Sequence, residues 1–328
     1  MTRTFTILSI VFFILLGACD SEKQPLLPKV TGKPGEVVVV IDEYQWESEI
    51  GDFFRETLSQ PVLSLPQEEP IYDIVRIPSS GFNNIFKSHR NIILTKISSR
   101  NKKPRIIVQR DIWAQPQIVI NIIGPKDSTT LQYLRENKEK LVNLLDQIEI
   151  DRTVENYKKN RAKGIDQLLR TRHNLSISVP AGYNYDVDTA NFIWLSHEPA
   201  DRTQGILIYY YDYTDPDTFT KDYLVKKRNQ FTRRYVPGPN KGSYMSVESE
   251  APVYFREYTR DNRYFAELRG LWKLEHGFMG GPFISISTLD EPRNRVVTAD
   301  GFVYAAGKEK RNYIREVEAI LQTFKVVE

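Results

Sequence analysis

Apolar and polar residues recur with two different periods along this 328-residue chain, and the changes of period mark its elements. The run VVVVID (37–42) is continuously apolar up to Asp42, the pattern of a strand buried on both faces. Behind it Trp46, Ile50, Phe53, Phe54 and Leu58 are spaced for one helical stripe, which Pro61 ends. IYDIVRI (71–77) and NIILTKI (91–97) read as strands around a short helix near Ser80–Ser88. RIIVQRDIW (105–113) and QIVINIIG (117–124) are separated only by Ala114-Gln115-Pro116, too short for a helical crossover. They therefore pair as an antiparallel hairpin, and the sheet is mixed. Leu131, Leu134, Leu141, Leu145 and Ile148 then mark one face of a helix capped by Asp127 or Ser128. DRTVENYKKNRAKGIDQLLRTRH (151–173) continues as a charged helical segment interrupted or bent near Gly164, whose Lys158, Lys159, Arg161 and Lys163 read as a solvated face, with anionic lipid heads or peptidoglycan as the alternative contact.

Period two returns in LSISVPAGY (175–183), NFIWLSHE and GILIYYYDY, a meander of strands. DPDTFTKDYLVKKRNQFTRRYV turns helical, with Phe219, Tyr223, Leu224, Lys227 and Phe231 on the inner face. Strands follow near 244–249, 252–259 and 263–273, then PFISISTLD and GFVYAAG, and Tyr313, Val317, Ile320, Leu321 and Phe324 close the chain on a helix. The fold class is α+β, in two mixed modules. Residues 35–150 form an N-terminal mixed sheet with helices, 151–172 a helical connector, and 173–328 a C-terminal antiparallel sheet with two helices on one side.

The front of the chain has a different character. Arg3, an apolar run from Phe5 to Leu16, and Gly17-Ala18 before Cys19 follow the order of a secretory signal. The thirteen residues from Phe5 to Gly17 reach only about 20 Å as a helix, against a hydrocarbon core of about 30 Å. Leu16-Gly17-Ala18-Cys19 resembles the bacterial lipobox, which implies removal of 1–18 and attachment of lipid (diacylglycerol and a fatty acid such as palmitate) to Cys19. Two or more acyl chains anchor a protein without a transmembrane helix. Residues 19–34 are polar and rich in Pro and Lys, a flexible tether. The expected location is the cell envelope, with the outer membrane favoured and a periplasmic or surface-exposed body.

Composition narrows the partners. The 45 Lys and Arg against 42 Asp and Glu leave +3, and removal of Arg3 leaves +2, a balance that argues against nucleic acid. With one cysteine, an exported body must be held by burial alone. Eighteen Tyr and sixteen Phe favour strands and leave aromatic rings for surface contacts.

GKPGEVVVVIDEYQW, FNNIFKSHRNIIL, RDIWAQPQIVI and GLWKLEHGFMGGPFIS resemble a family of Bacteroidetes lipoproteins catalogued as a domain of unknown function. That resemblance implies the compartment and two co-linear modules, and supplies no catalytic residue. From 173 onward the element order, with ISVPAGY at its opening and TFKV at its close, is similar to the fold shared by the photosystem extrinsic subunit and the Ran-binding Mog-type proteins. Those folds act mostly in binding or assembly, and a fold by itself does not assign a function.

Candidate chemistry is sparse. The four histidines are scattered, and HExxH, G-x-S-x-G and a phosphate loop are all missing, so no metal, cofactor or catalytic residue is assigned. Arg269, Trp272, Glu275 and His276 stand just before the glycine-rich 277–281, the makeup of a small polar-ligand pocket; the same stretch also reads as a β-hairpin. Tyr209, Tyr211 and Tyr213 share one strand face and Tyr210 the other. Asp188-Thr189-Ala190 resembles the short O-glycosylation sequon of Bacteroidetes, with Thr189 as acceptor, and Asp127-Ser128-Thr129 resembles it too. The function read from these features is a non-enzymatic binding or assembly factor that is membrane-held through its N-terminal lipid and meets an envelope protein or glycan. The alternative is an envelope glycan or peptidoglycan hydrolase using carboxylates such as Glu267, Glu275 or Asp290. Cells fed a clickable palmitate analogue should label the wild-type protein and leave Cys19→Ser unlabelled; label on both, or on neither, removes the anchor.

Overall fold

A computed structural model describes residues 26–327; the leader, Cys19 and the start of the tether lie outside the described residues. The first sheet is built from β1 (Glu36–Val40), β2 (Asp73–Ile77), β3 (Asn91–Ile97), β4 (Arg105–Arg110) and β5 (Ile118–Gly124), in the order β2-β1-β3-β5-β4. β1 runs parallel to β2 and β3, β3 runs parallel to β5, and β4 is antiparallel to β5. This is the mixed sheet expected from the short 114–116 link. α1 (Glu43–Trp46), α2 (Glu49–Leu58), α3 (Asn84–Lys87), α4 (Asp127–Glu136) and α5 (Lys138–Lys159) complete this half. α2, α4 and α5 press Phe54, Leu134 and Leu145 onto Val37, Val39 and Ile120 of one sheet face. The other face, with Val38, Val40, Ile92, Leu94 and Val119, is covered by a thin layer that includes Phe82 and Trp113.

Three local expectations change. The helix predicted over 46–58 divides at Ser48, whose Oγ accepts from the Ile50 amide at 3.3 Å and caps α2. Neither Asp127 nor Ser128 caps α4; Lys126 holds the cap position and Asp127 Oδ1 accepts from Gln45 Nε2 at 2.8 Å. α5 runs unbroken through residue 150, and the chain breaks at 160–162 rather than at Gly164, which lies inside α6 (Lys163–His173).

The second half contains β6 (Leu175–Ser176), β7 (Asn184–Asp188), β8 (Phe192–His197), β9 (Thr203–Asp212), α7 (Lys221–Tyr235), β10 (Tyr244–Val247), β11 (Tyr254–Arg260), β12 (Arg263–Glu275), β13 (Gly280–Asp290), β14 (Arg295–Tyr304), α8 (Arg311–Gln322) and β15 (Lys325–Val326). Its main sheet is antiparallel in the order β10-β12-β13-β14-β9-β8-β7, and β11 lies in line with β10 along the same edge of β12. The two helices expected on one side lie on opposite sides. Val317, Ile320 and Leu321 of α8 pack with Ile206, Ile208 and Ala299. Leu224 and Phe231 of α7 pack with Leu207, Tyr209 and Phe302, which point the other way. Gly301 allows the first contact, since a Cβ there would stand 2.1 Å from Val317 Cγ1. On the α7 side Arg228, fully buried, donates through Nε to Asp300 Oδ2 at 2.7 Å and lies 3.8 Å over the Phe283 ring. Removing either partner of such a pair costs about 3–5 kcal/mol.

α8 also joins the two halves. Glu69, from the loop before β2, accepts from the amides of Lys310 and Arg311 at 2.7 and 2.8 Å, placing a carboxylate at the positive end of α8. Arg311 donates to Pro70 O at 2.7 Å and pairs with Asp73 at 2.7 Å, while Arg315 donates to Ile71 O at 2.8 Å and Asp146 at 2.9 Å. Glu69→Ala should lower stability by about 1–3 kcal/mol, measured as a reduced urea midpoint, because two helix-end amides lose a buried acceptor; an unchanged midpoint would contradict this account of the joint.

Candidate functional site

β11 and the first part of β12 form a wall with a concavity on each side. Successive side chains of a strand point to opposite faces, so this wall presents two unrelated surfaces. On the α8 side the cleft has a volume of about 610 Å³ and lies between the halves, lined by Val62, Ile71, Asp146, Arg256, Glu267 and Glu318 among others. On the α7 side a larger cleft of about 1330 Å³ is lined by Tyr213, Phe219, Phe255 and Tyr264, with Glu257, Asp261, Asn262 and Glu291 among its polar groups.

The smaller cleft is ionic. Glu267, almost wholly buried, accepts from Arg256 Nε and Nη2 at 2.9 and 2.7 Å and from Arg269 Nε at 2.6 Å. Arg269 bridges onward to both oxygens of Glu318 on α8. Burial acts to neutralise Arg269, but Glu318 and Glu267 outweigh it and hold the guanidinium charged. Burial likewise raises Glu318, and Arg269 beside it more than compensates, so its carboxyl titrates below the usual range. Asp146 moves the other way: burial raises it despite Arg315 and the Tyr72 hydroxyl, which donates to it at 2.9 Å.

The larger cleft is aromatic. Tyr213 follows β9, and Pro216–Phe219 forms a 3-10 turn in which the side chain of Asp215 accepts from the Asp217 amide at 2.9 Å. Phe219 meets Tyr213 at a ring separation of 6.2 Å and Tyr264 edge-on at 5.1 Å. Tyr264 donates to Glu257 Oε1 at 2.6 Å, which with burial raises its phenol. Asp261 and Asn262 join β11 to β12 with φ of 50° and 60°, the left-handed pair of a tight hairpin turn, and hold Tyr264 at the rim.

The residues nominated from the sequence do not converge. Trp272 is a core residue, 3% exposed, and donates from Nε1 to Val303 O at 3.2 Å. It faces α7, whereas Arg269 and Glu275 project to the other side of β12, so Trp272 cannot share a pocket with them. Arg269 lines the ionic cleft, and Glu275 accepts from Ser246 Oγ at 2.6 Å. His276 is exposed in the 276–279 turn at φ 59°; the stretch is the β12–β13 hairpin. Thr189 sits in the β7–β8 turn, where its hydroxyl donates to Phe192 O and accepts from the Phe192 amide, so a sugar there would require the turn to open. Tyr209 stacks on Phe231 of α7 and Tyr211 lies tilted beside the same ring, and of the ladder Tyr213, at its end, lines the aromatic cleft. Among the described residues no group of His, Cys, Asp and Glu is arranged to hold a metal ion.

Residues 162–323 match the family model described as "Domain of unknown function (DUF4837)". Residues 30–158 match a second, "Domain of unknown function (DUF8532)", so the boundary between them falls at the break between α5 and α6. No curated protein matches the chain. Among solved structures the chain is similar to the Ran-binding protein Mog1p of Saccharomyces cerevisiae at 9% identity and TM-score 0.31, over 47% of this chain and 91% of that one. It is also similar to LpqN, "involved in cell envelope biogenesis of Mycobacterium tuberculosis", at 12% identity and TM-score 0.28, over 47% and 83%. Human STARD10 gives 9%, 0.24, 49% and 80%. Likeness this low carries no argument about function. Among the described residues no helix is long and apolar enough to cross a membrane.

The lowered titration of Glu318 fixes a sign. Its contribution is complete above its unfolded value of about 4.3 and is lost as pH falls through the lower folded value. Glu318→Gln should therefore lower Tm at pH 7 and flatten the fall in Tm between about pH 4.5 and 3; an equally steep fall would show that Glu318 does not carry it.

Proposed function

We propose that this protein is a lipid-anchored, non-enzymatic binding or assembly factor of the cell envelope, held at Cys19, and that the aromatic cleft of its second half takes a glycan chain. The observation that carries this reading is the lining of that cleft: exposed Tyr264, half-buried Tyr213 and Phe255 and buried Phe219 give it an aromatic wall, and Glu257, Asp261 and Asn262 offer hydrogen-bonding groups beside them. Apolar ring faces suit the C–H faces of a sugar, and a few polar groups at the rim suit its hydroxyls. The cleft is larger than the ~300–1,000 Å³ common for small-molecule sites, which favours a chain over a single small ligand.

The three carboxylates named from the sequence for a hydrolase, Glu267, Glu275 and Asp290, are engaged with neighbouring side chains. Asp290 is fully buried under Arg293 and Arg295, Glu267 is enclosed by Arg256 and Arg269, and Glu275 accepts from Ser246. A general acid must reach the leaving oxygen, and Asp290 has no exposed surface from which to do so.

Titration calorimetry with solubilised peptidoglycan and envelope polysaccharide fragments tests the reading. Wild type should bind at least one of these, and Tyr264→Ala should weaken that binding about tenfold or more. Tyr264→Phe, which keeps the ring and loses only the bond to Glu257, should bind within a few-fold of wild type. Absence of binding across the fragments, or equal binding by Tyr264→Ala, would remove the glycan reading.

A further inference from the structure

Residues 74–110 contain no Asp or Glu and nine Lys and Arg, within a chain whose overall charge is nearly balanced. Arg76 and Arg90 pair with Glu43 and Glu149, and Lys87 donates to Asn84. The other six, Lys96, Arg100, Lys102, Lys103, Arg105 and Arg110, are exposed, and none forms an ion pair among the described residues. Arg100, Lys102 and Lys103 lie in the loop from β3 to β4 (98–104), and Arg105 opens β4.

Strand register places part of this charge on one surface. Leu94 pairs with Asn121 and Asn121 with Ile107, while Lys96 pairs with Ile123 and Ile123 with Arg105. Lys96, Arg105 and Ile107 therefore share the sheet face of Val38, Ile92 and Leu94, the one under the thin cover of Phe82 and Trp113. Aliphatic side chains stand out around it: Ile85 on that cover is 76% exposed, Ile107 37%, and Ile112 beside Trp113 38%. β4 is also the edge of the sheet, and among the described residues no strand pairs along its outer side.

We propose that this β3–β4 face is a docking surface for an anionic phospholipid bilayer. Unpaired cations interspersed with exposed aliphatic side chains match a headgroup layer over an acyl boundary. Phe82 and Trp113 pack edge-on against each other at 5.7 Å, inside the cover, leaving no ring ladder for stacked bases. The entry of the chain agrees. Pro28 and Val30 bond Gln115, and Thr31 bonds Ser88 and Arg90, so the N-terminal segment leaves the body at the end of the sheet that holds Ile112 and Arg110. Leu26 follows Cys19 by seven residues, at most about 25 Å of chain, and β3 itself spans about 23 Å. An anchor at the N-terminus would hold this face within reach of the bilayer along its whole length, where its cations add electrostatic attraction to anionic headgroups. The proposal does not depend on the glycan reading or on acylation of Cys19.

The test uses the full chain carrying Cys19→Ser and Ile107→Cys, with a polarity-sensitive fluorophore on the new thiol. On vesicles of phosphatidylcholine with about one third phosphatidylglycerol the emission should shift to the blue. On pure phosphatidylcholine it should not, and 0.5 M NaCl should reverse the shift, since the screening length falls to a few ångströms. Lys102→Glu with Lys103→Glu and Arg105→Glu should abolish the shift, Lys102→Gln with Lys103→Gln should reduce it, and the same label at Lys226 on α7 should stay unshifted throughout. No shift on anionic vesicles, or an equal shift on both vesicles, or a shift produced by heparin or an oligonucleotide and not by vesicles, would overturn the assignment to lipid.

Discussion

The carboxylate of Glu69 at the start of α8 is the contact on which the arrangement of this molecule depends. A helix begins with amides that have no partner inside the helix. Here the partner comes from a residue more than two hundred positions earlier, in the other half of the chain. The same helix lays Val317, Ile320 and Leu321 against the second sheet and turns Arg311 and Arg315 to the loop before β2 and to α5. α8 thus belongs to both cores. Its orientation fixes how the β11–β12 wall faces α5, and so the shape of the ionic cleft between them.

That wall shows how a strand's period of two sorts chemistry. Arg256, Glu267 and Arg269 project to the α8 side, where burial forces every charge to find a partner. Phe255, Glu257 and Tyr264 project to the α7 side, where the aromatic cleft opens. Removing Glu267 would take the carboxylate partner from Arg256 and leave Arg269 with Glu318 alone at the joint, and would leave the opposite cleft chemically unchanged. The ionic side therefore reads as a structural weld and the aromatic side as the surface available to a ligand.

Much of the fold was legible. The five strands of the first sheet, its antiparallel last pair, and the existence of the two helices that pack on the second sheet follow from periodicity and connection length. The side each helix covers does not follow, because an amphipathic stripe shows that a helix has an apolar face without naming the sheet face it meets. A signal was present in β13 and β14, which are buried along nearly their whole length and do not alternate cleanly, as a sheet sandwiched between helices requires. Arg228 was passed over because a lone arginine on a helix reads as exposed. Its partner Asp300 lies 72 residues away and cannot be paired with it by spacing. Trp272 was misplaced for a simpler reason: neighbours in sequence on a strand are not neighbours in space. The aromatic cleft draws on residues far apart in the chain, of which the sequence reading named Tyr213 in the tyrosine ladder and Phe219 as the inner face of a helix.

Net charge illustrates the same gap between total and arrangement. A near balance of 45 basic and 42 acidic residues argues against a polyanion partner if the charges are well mixed, and over residues 74–110 they are not. The acids that restore the balance lie elsewhere, many of them in pairs such as Glu267 with Arg256 or Asp300 with Arg228, which cancel locally. Pairing inside the body is what leaves the cations of β3 and β4 electrostatically visible from outside. Within about 10 Å, the screening length at 0.1 M salt, an approaching surface meets this patch and not the average of the chain. A nearly neutral protein can therefore present a strongly cationic edge, and the face beside the point where its N-terminal segment departs is where the proposed contact with a membrane would use it.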